Sequence, residues 1–317
     1  CLSDWSSDVC SSDLGEYHVG VTDDLRRVTI KRGASRADSP LIRYEAGGGE
    51  LVLLNVDRKY DPTNLNGPYV VAGISQVEPM RPVLVSAQWG GVDYPLVTGY
   101  VDTWSLDWSG PNWAETAVPF TDAFRVLEED HRTAVAPVGD GELSGARIHR
   151  ILDSVGWPTD KRAIDTGTVT LIATTLEGPA LAELQAVADA ELGALYIRGD
   201  GVLVFRDRTA LLEDPRSAIS QATFGDGGGS ELPYKDGGLQ LSYDTDSLAN
   251  RVIASRAGGD EVVVEDLASI QKYLVRAPIN ATDLPLETDD DVTNWASFLL
   301  AVSSRPELRF TSMEIWP

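Results

Sequence analysis

The chain has 317 residues, 43% of them hydrophobic, and a formal charge of -23 at pH 7. That is enough apolar material for more than one core. The charge argues against a phosphate-backbone binder, which needs Lys and Arg to displace counterions, and against adhesion to anionic membrane. No apolar run reaches the roughly 18–20 residues of a membrane span.

Residues 4–14 read D-W-S-S-D-V-C-S-S-D-L, the translation of a common sequencing adapter, so residues 1–14 are expected to be an artefact outside the fold. Both cysteines, Cys1 and Cys10, lie there. The remainder then has no disulfide framework, no thiolate nucleophile and no cysteine metal site. Setting aside Asp4, Asp8 and Asp13 leaves -20 over 303 residues, a length that suggests two or three domains.

Residues 15–121 read as all-β. Residues 28–32 (V-T-I-K-R) alternate apolar and polar, and 50–56 (E-L-V-L-L-N-V) is a more continuous apolar strand. Val83, Val85, Ala87 and Trp89 share a face of the next strand, and Gly90-Gly91 turns it into 94–104. Residues 113–121 close the set, and alternation would bury Trp104 and Trp113. Five strands favour a small antiparallel barrel or sandwich. Between them, 35–40 and 57–82 are long loops rich in turn residues.

Residues 122–208 change period. Asp122 starts a helix with Phe124 and Leu127 inside. In 143–155, Ile148, Ile151, Leu152 and Val155 share a face, with Gly156 at C′. Residues 169–173 form a short strand. Pro179 opens a helix to 192 with Leu181, Leu184, Val187 and Ala188 inside and Gly193 after its end. Residues 195–197 and 202–205 flank the tight turn Arg198-Gly-Asp-Gly201. This is a small α+β unit, and the Arg-Gly-Asp tripeptide is read as its turn.

From 209 the chain returns to β, with strands at 239–243, 251–255, 261–265 and 308–315 and a helix at 292–302 after Asp289-Asp290-Asp291. The expected fold is mainly β with an α+β insertion: two barrel-like units flanking a small α+β domain. The domains are 15–121, 122–208 and 209–317. The apolar strand at the end suggests that the third is truncated.

No constellation points to catalysis. His18, His131 and His149 have no metal-ligand spacing. Asp289–Asp291 lack the spaced pattern of a calcium loop and suit a helix start better. There is no G-x-S-x-G, phosphate-binding glycine loop or zinc signature. No enzyme activity, cofactor or metal is expected. The most distinctive stretch is 55–64, N-V-D-R-K-Y-D-P-T-N. Asp61-Pro62 favours a turn, Asn64 supports an Asx bond, and Arg58 is placed to pair with Asp57 or Asp61.

That stretch resembles the minor tail proteins of long-tailed phages and prophages, especially those of actinobacterial hosts. The resemblance lies in L-x-N-x-D-R-x-Y-D-P-x-N after a strand and takes in Asn55, Asp57, Arg58, Tyr60, Asp61, Pro62 and Asn64. Residues 97–104 (V-T-G-Y-V-D-T-W), 121–127 (T-D-A-F-R-V-L), 195–208, 248–252 and 292–302 match the same family in order. The resemblance implies a tail-tip or baseplate-hub component with tail-tube-like barrels. It implies partners too: further copies of itself, as a trimeric ring, and other tail proteins, with no stable nucleic-acid binding. It places the protein in the virion tail and, during assembly, in the bacterial cytoplasm. Two alternatives stand beside it. One is a receptor- or carbohydrate-binding tail protein using Trp104, Trp108 and Trp113. The other is a fragment of a tail-associated cell-wall hydrolase.

Overall fold

The structure is a computed structural model in which residues 2–3, 17–35, 43–110, 113–132, 137–215, 219–225 and 228–315 are described. Of residues 1–14, which were expected to lie outside the fold, only Leu2–Ser3 are among these. They form a short strand beside Tyr17–Val19, and Leu2 also pairs with Val83. His131 is described in backbone only, and residues 36–40 of the expected first loop lie outside the described residues.

The first unit is one eight-stranded sheet. Its order is Tyr17–Val19, Leu2–Ser3, Pro82–Trp89, Val92–Val101, Trp113–Thr121, Gly48–Leu54 and Leu25–Lys31, with Ser105–Gly110 also paired to Trp113–Thr121. Strict alternation makes Trp113–Thr121 its centre: Ala114, Thr116, Val118 and Phe120 are buried, and the intervening residues are not. Val118 and Phe120 meet Leu51, Leu53, Val83, Val97 and Val101 in one core. Gly90 and Gly91, with φ of 59° and 78°, supply the left-handed pair that a two-residue hairpin turn needs.

The expected barrel does not close among the described residues. The two ends of the sheet, Tyr17–Val19 and Leu25–Lys31, are joined by five residues, yet no ladder links them. The 3-10 turn Thr22–Asp24 redirects the chain there instead of making a hairpin.

The central unit follows the reading closely. Helices Phe124–Glu129, Ser144–Ser154 and Ala180–Glu191 bury the expected faces. Strands Ala194–Ile197 and Leu203–Arg206 form the hairpin, with Arg162–Ile164 added in parallel. The left-handed residue after the long helix is Leu192 (φ 55°), not Gly193. Gly193 serves close approach instead: a Cβ there would lie 2.4 Å from the Arg206 carbonyl oxygen.

The third unit departs most from expectation. Arg251–Arg256 pairs antiparallel with Val262–Glu265 and parallel with Pro278–Leu284. A parallel pair needs a crossover, and helix Leu267–Tyr273 lies within it. Sequence reading missed this helix, although Asp266 caps it by accepting from the Ser269 amide at 2.9 Å. It missed the strand because it opens on proline, which is tolerated at a first strand position. Helix Asp289–Ser303 covers one face of this sheet with Val292, Trp295, Ala296 and Leu299. A sheet face covered by a helix has no need of a second barrel, and none is present among the described residues. The same apolar cluster takes in Phe124, Ile148, Leu184 and Phe205, so one core runs from Ala123 to Leu300. Leu232–Ser242 and Arg309–Ile315 form a separate ladder.

Among the described residues, no helix is long and apolar enough to cross a membrane.

Candidate functional site

The loop after Gly48–Leu54 holds the distinctive motif, and its side chains tie it to the sheet. Asn55 is fully buried. Its side-chain amide donates to the Thr116 hydroxyl at 2.8 Å, and its Oδ1 accepts from the Tyr60 amide at 2.9 Å. Tyr60 is also fully buried and donates its hydroxyl to Asp24 at 2.6 Å. Its ring stacks between Tyr69 and Trp104, at 5.6 and 6.2 Å. Burial and then the Asp24 hydrogen bond push the Tyr60 hydroxyl far above its usual range, so it stays protonated. Lys59 Nζ completes the cluster, 2.6 Å from Asp24.

Of the two carboxylates considered for Arg58, the structure uses Asp61. Arg58 Nε and Nη2 lie 2.9 and 2.6 Å from Asp61 Oδ2, while Asp57 accepts from the Lys59 amide. The other oxygen of Asp61 accepts from the Thr63 amide and hydroxyl at 2.8 and 2.7 Å. Burial raises the Asp61 carboxyl, but the Thr63 hydroxyl, Arg58 and the Thr63 amide outweigh it and hold it below 3.8. Pro62 is half-buried, and Asn64 donates to the Arg58 carbonyl at 2.9 Å. Arg58 itself has φ 60°, a strained value for a residue with a Cβ. The ion pair and the Asn64 bond hold it there.

Both motif carboxylates, Asp57 and Asp61, and Asp24 are engaged in fixing the loop. The arrangement is a brace. Asp61→Ala should therefore destabilise the protein by about 1–3 kcal/mol, because it strands buried donors. Arg58→Ala should cost less, under about 1 kcal/mol, because the guanidinium is half exposed. Urea unfolding of the two variants checks the order; a larger loss for Arg58→Ala would contradict it.

Other segments of the same resemblance also act as joints. Asp102 accepts from the Thr121 hydroxyl at 2.9 Å and pairs with Arg125, joining residues 97–104 to 121–127. Gly199 of the hairpin lies against the first sheet, where a Cβ would meet the Pro95 carbonyl oxygen at 2.3 Å. The Arg-Gly-Asp tripeptide is closed on itself by Arg198–Asp200. Asn250, fully buried, donates to Ser269 Oγ and the Val275 carbonyl and accepts from the Ala277 amide. It holds the ends of the crossover. Asp291 closes a capping box with Thr288, and Asp289 pairs with Arg256 at 2.7 Å, so two of the three aspartates fix a helix start. Sequence reasoning missed Asp24 and Thr116, which reach the motif only through the sheet, and Tyr69, which folds back from further along the same loop; no local signal marks them.

The junction between the first sheet and the central unit holds a buried acid. Asp122 accepts from the Gly47 amide at 2.6 Å and the Phe124 amide at 2.9 Å. It lines a cavity of about 280 Å³ with Arg32, Tyr44, Glu45 and Tyr196. Burial pushes its carboxyl up to about 6, against the pull of the two amides and Arg32. A carboxyl raised on folding binds its proton more tightly in the folded state. Its contribution is therefore full below the unfolded value of 3.8 and is lost as pH rises through about 6. The difference is on the order of 2–3 kcal/mol. Asp24 and Asp61, both lowered, titrate below this window. Comparing wild type with Asp122→Asn from pH 4 to 7 isolates the effect: the wild type should lose stability relative to the variant as pH rises. A difference that stays flat would contradict it.

The tryptophans divide. Trp104 is tucked in, donating to the Glu78 carbonyl at 2.8 Å. Trp113, expected inside, is 58% exposed, and Trp108 is 48% exposed beneath the Arg58 guanidinium. Trp113 stands at the tip of its hairpin, beyond the edge of the core, so alternation has nothing there to bury it against.

No protein-family model matches the chain, and no curated protein matches it. Solved structures do. The tail protein from Neisseria meningitidis MC58 superposes with a TM-score of 0.53 at 12% identity, over 92% of this chain and 83% of that one. Prophage tail protein gp18 from Listeria monocytogenes EGD-e gives 0.48 at 11% identity, over 90% and 72%. The 43 kDa tail protein of prophage MuSo2 from Shewanella oneidensis gives 0.45 at 12%, over 87% and 77%. The first of these establishes a shared fold.

Proposed function

We propose that the chain is a structural component of a phage tail, a tip or baseplate-hub subunit whose ring joins the tail tube to the tip and lets DNA pass. The observation that carries this is the fold shared with the Neisseria tail protein over 92% of the chain. The motif loop supports it, since its polar groups brace the loop and leave no poised nucleophile. The partners are then further copies, as a trimer, and other tail proteins. The direct experiment is electron microscopy of the purified chain with mass photometry. Closed rings of uniform size support the reading, and a monomer at every concentration refutes it.

The charge of -23 fits this role. An acidic lumen repels the phosphates of passing DNA, whereas a basic one would trap it by counterion release. The ring should show no binding to duplex DNA at low salt. Measurable affinity there would contradict an acidic lumen.

The exposure of Trp108 and Trp113 favours one second reading, a glycan-binding tail protein. Binding on a glycan array, lost in Trp113→Ala, would support it; a hub should be silent. A peptidoglycan zymogram tests the hydrolase alternative, and a cleared band would displace both.

A further inference from the structure

Two strands of the first sheet keep a free edge among the described residues. Leu25–Lys31 pairs only with Gly48–Leu54, and Ser105–Gly110 pairs only with Trp113–Thr121. They are seven and six residues long. Free edges of this length recruit other chains unless something restricts them.

The two edges carry opposite charge. Four of the chain's 26 Lys and Arg residues, Arg26, Arg27, Lys31 and Arg32, fall within 25–32, an unusual concentration in a chain of net -23. Arg32 turns inward to the Leu96 and Ile197 carbonyls. Arg27 and Lys31 reach Glu50 and Glu45 but stay accessible, with 66% and 87% of their side chains exposed. On the other edge, Asp107 lies directly across from Glu115. Like charges opposite one another on neighbouring strands destabilise the pair, and among the described residues neither has a cationic partner. A cation brought to that edge relieves the repulsion. Each edge also leaves apolar surface in water: Val28 is 39% exposed and Trp108 48%.

Resting on the ring reading above, we infer that the Leu25–Lys31 edge of one copy pairs with the Ser105–Gly110 edge of the next, the partner being a second copy of this chain. The contact uses two different surfaces, so it is head-to-tail: it does not stop at a dimer, and it builds a ring where the rotation between copies closes. The cations on Leu25–Lys31 repel an identical edge and admit the acidic one, which selects against the symmetric dimer.

The test uses the full chain with Cys1 and Cys10 replaced by serine and one new cysteine per variant, Thr29→Cys or Ser109→Cys. Each variant is treated with a short bismaleimide alone and as an equal mixture, with light scattering in parallel. A cross-linked dimer only in the mixture, from an assembled sample, is the expected result. Arg26→Glu with Lys31→Glu should lower assembly at least tenfold, and adding Asp107→Lys should restore part of it. Assembly without a mixed cross-link, or either variant cross-linking to itself, overturns the edge contact and leaves the ring reading standing. A sample that scatters as a monomer overturns both.

Discussion

Trp295→Ala is expected to cost about 3–5 kcal/mol, the range for emptying a large buried aromatic site. Trp295 is fully buried in the helix Asp289–Ser303. Its ring sits in the cluster that includes Leu184, Val252 and Phe205, and its indole donates to the Asp189 carbonyl at 2.8 Å. The residue therefore links the third unit to the end of the central helix. Trp295→Phe keeps most of the volume and loses the hydrogen bond, so its cost should be smaller, about 1–2 kcal/mol. Denaturant unfolding followed by tryptophan fluorescence and far-UV circular dichroism gives both values. Because one core spans Ala123 to Leu300, the central and third units should lose structure in one transition. Two separated transitions, with Trp295→Ala moving only the later segment, would show that the shared core does not couple them.

Glu191→Ala should be as damaging, about 3–5 kcal/mol, because it leaves buried partners without their acceptor. Glu191 is fully buried at the end of the Ala180–Glu191 helix. Its oxygens accept from the Ser144 hydroxyl at 2.7 Å, from the Thr168 hydroxyl at 2.7 Å, and from the Thr168 and Val169 amides at 3.1 Å. Arg208 Nε stands 3.6 Å away. One carboxylate thus fixes the starts of a helix and a strand and neutralises an arginine. Glu191→Gln retains one acceptor oxygen but turns an amide toward donors, so about 1–3 kcal/mol is expected. Thermal unfolding of the three proteins checks the order wild type, Gln, Ala. Equal stability of Glu191→Ala and wild type would mean that water replaces the carboxylate, contrary to its burial.

Five of the eight strands of the first unit were legible because period-2 alternation is a local record of burial. Trp113–Thr121 was placed to the residue, but Ser105–Gly110, Tyr17–Val19 and Leu2–Ser3 were not read, and the strand expected over 94–104 ends at Val101. The three helices of the central unit were legible for the matching reason at period 3.6. The third unit was not. Pro278–Leu284 carries Pro278, Asn280 and Asp283, all poor strand formers, and is a strand because Arg251–Arg256 offers it a parallel edge. The motif loop was legible in part. Arg58 and Asp61 are three residues apart, so their pairing could be weighed from spacing. Tyr60 offered no such clue, since Asp24 comes from the turn before Leu25–Lys31, Trp104 from the segment after Val92–Val101, and Tyr69 from further along its own loop.

The sequence alone determined the mainly β character, the three helices between 124 and 191, the hairpins at Gly90-Gly91 and Arg198–Gly201, and the brace built from residues close along the chain. These follow from periodicity and turn chemistry, which act over a few residues. Only the tertiary structure decided that the first sheet stays open among the described residues, that the central and third units share a core, that Trp113 faces solvent, and that Asp107 is set against Glu115. Each depends on where a strand ends relative to its neighbours and on which surfaces remain to cover it. Those quantities are fixed by contacts between residues far apart in sequence, and no local pattern encodes them.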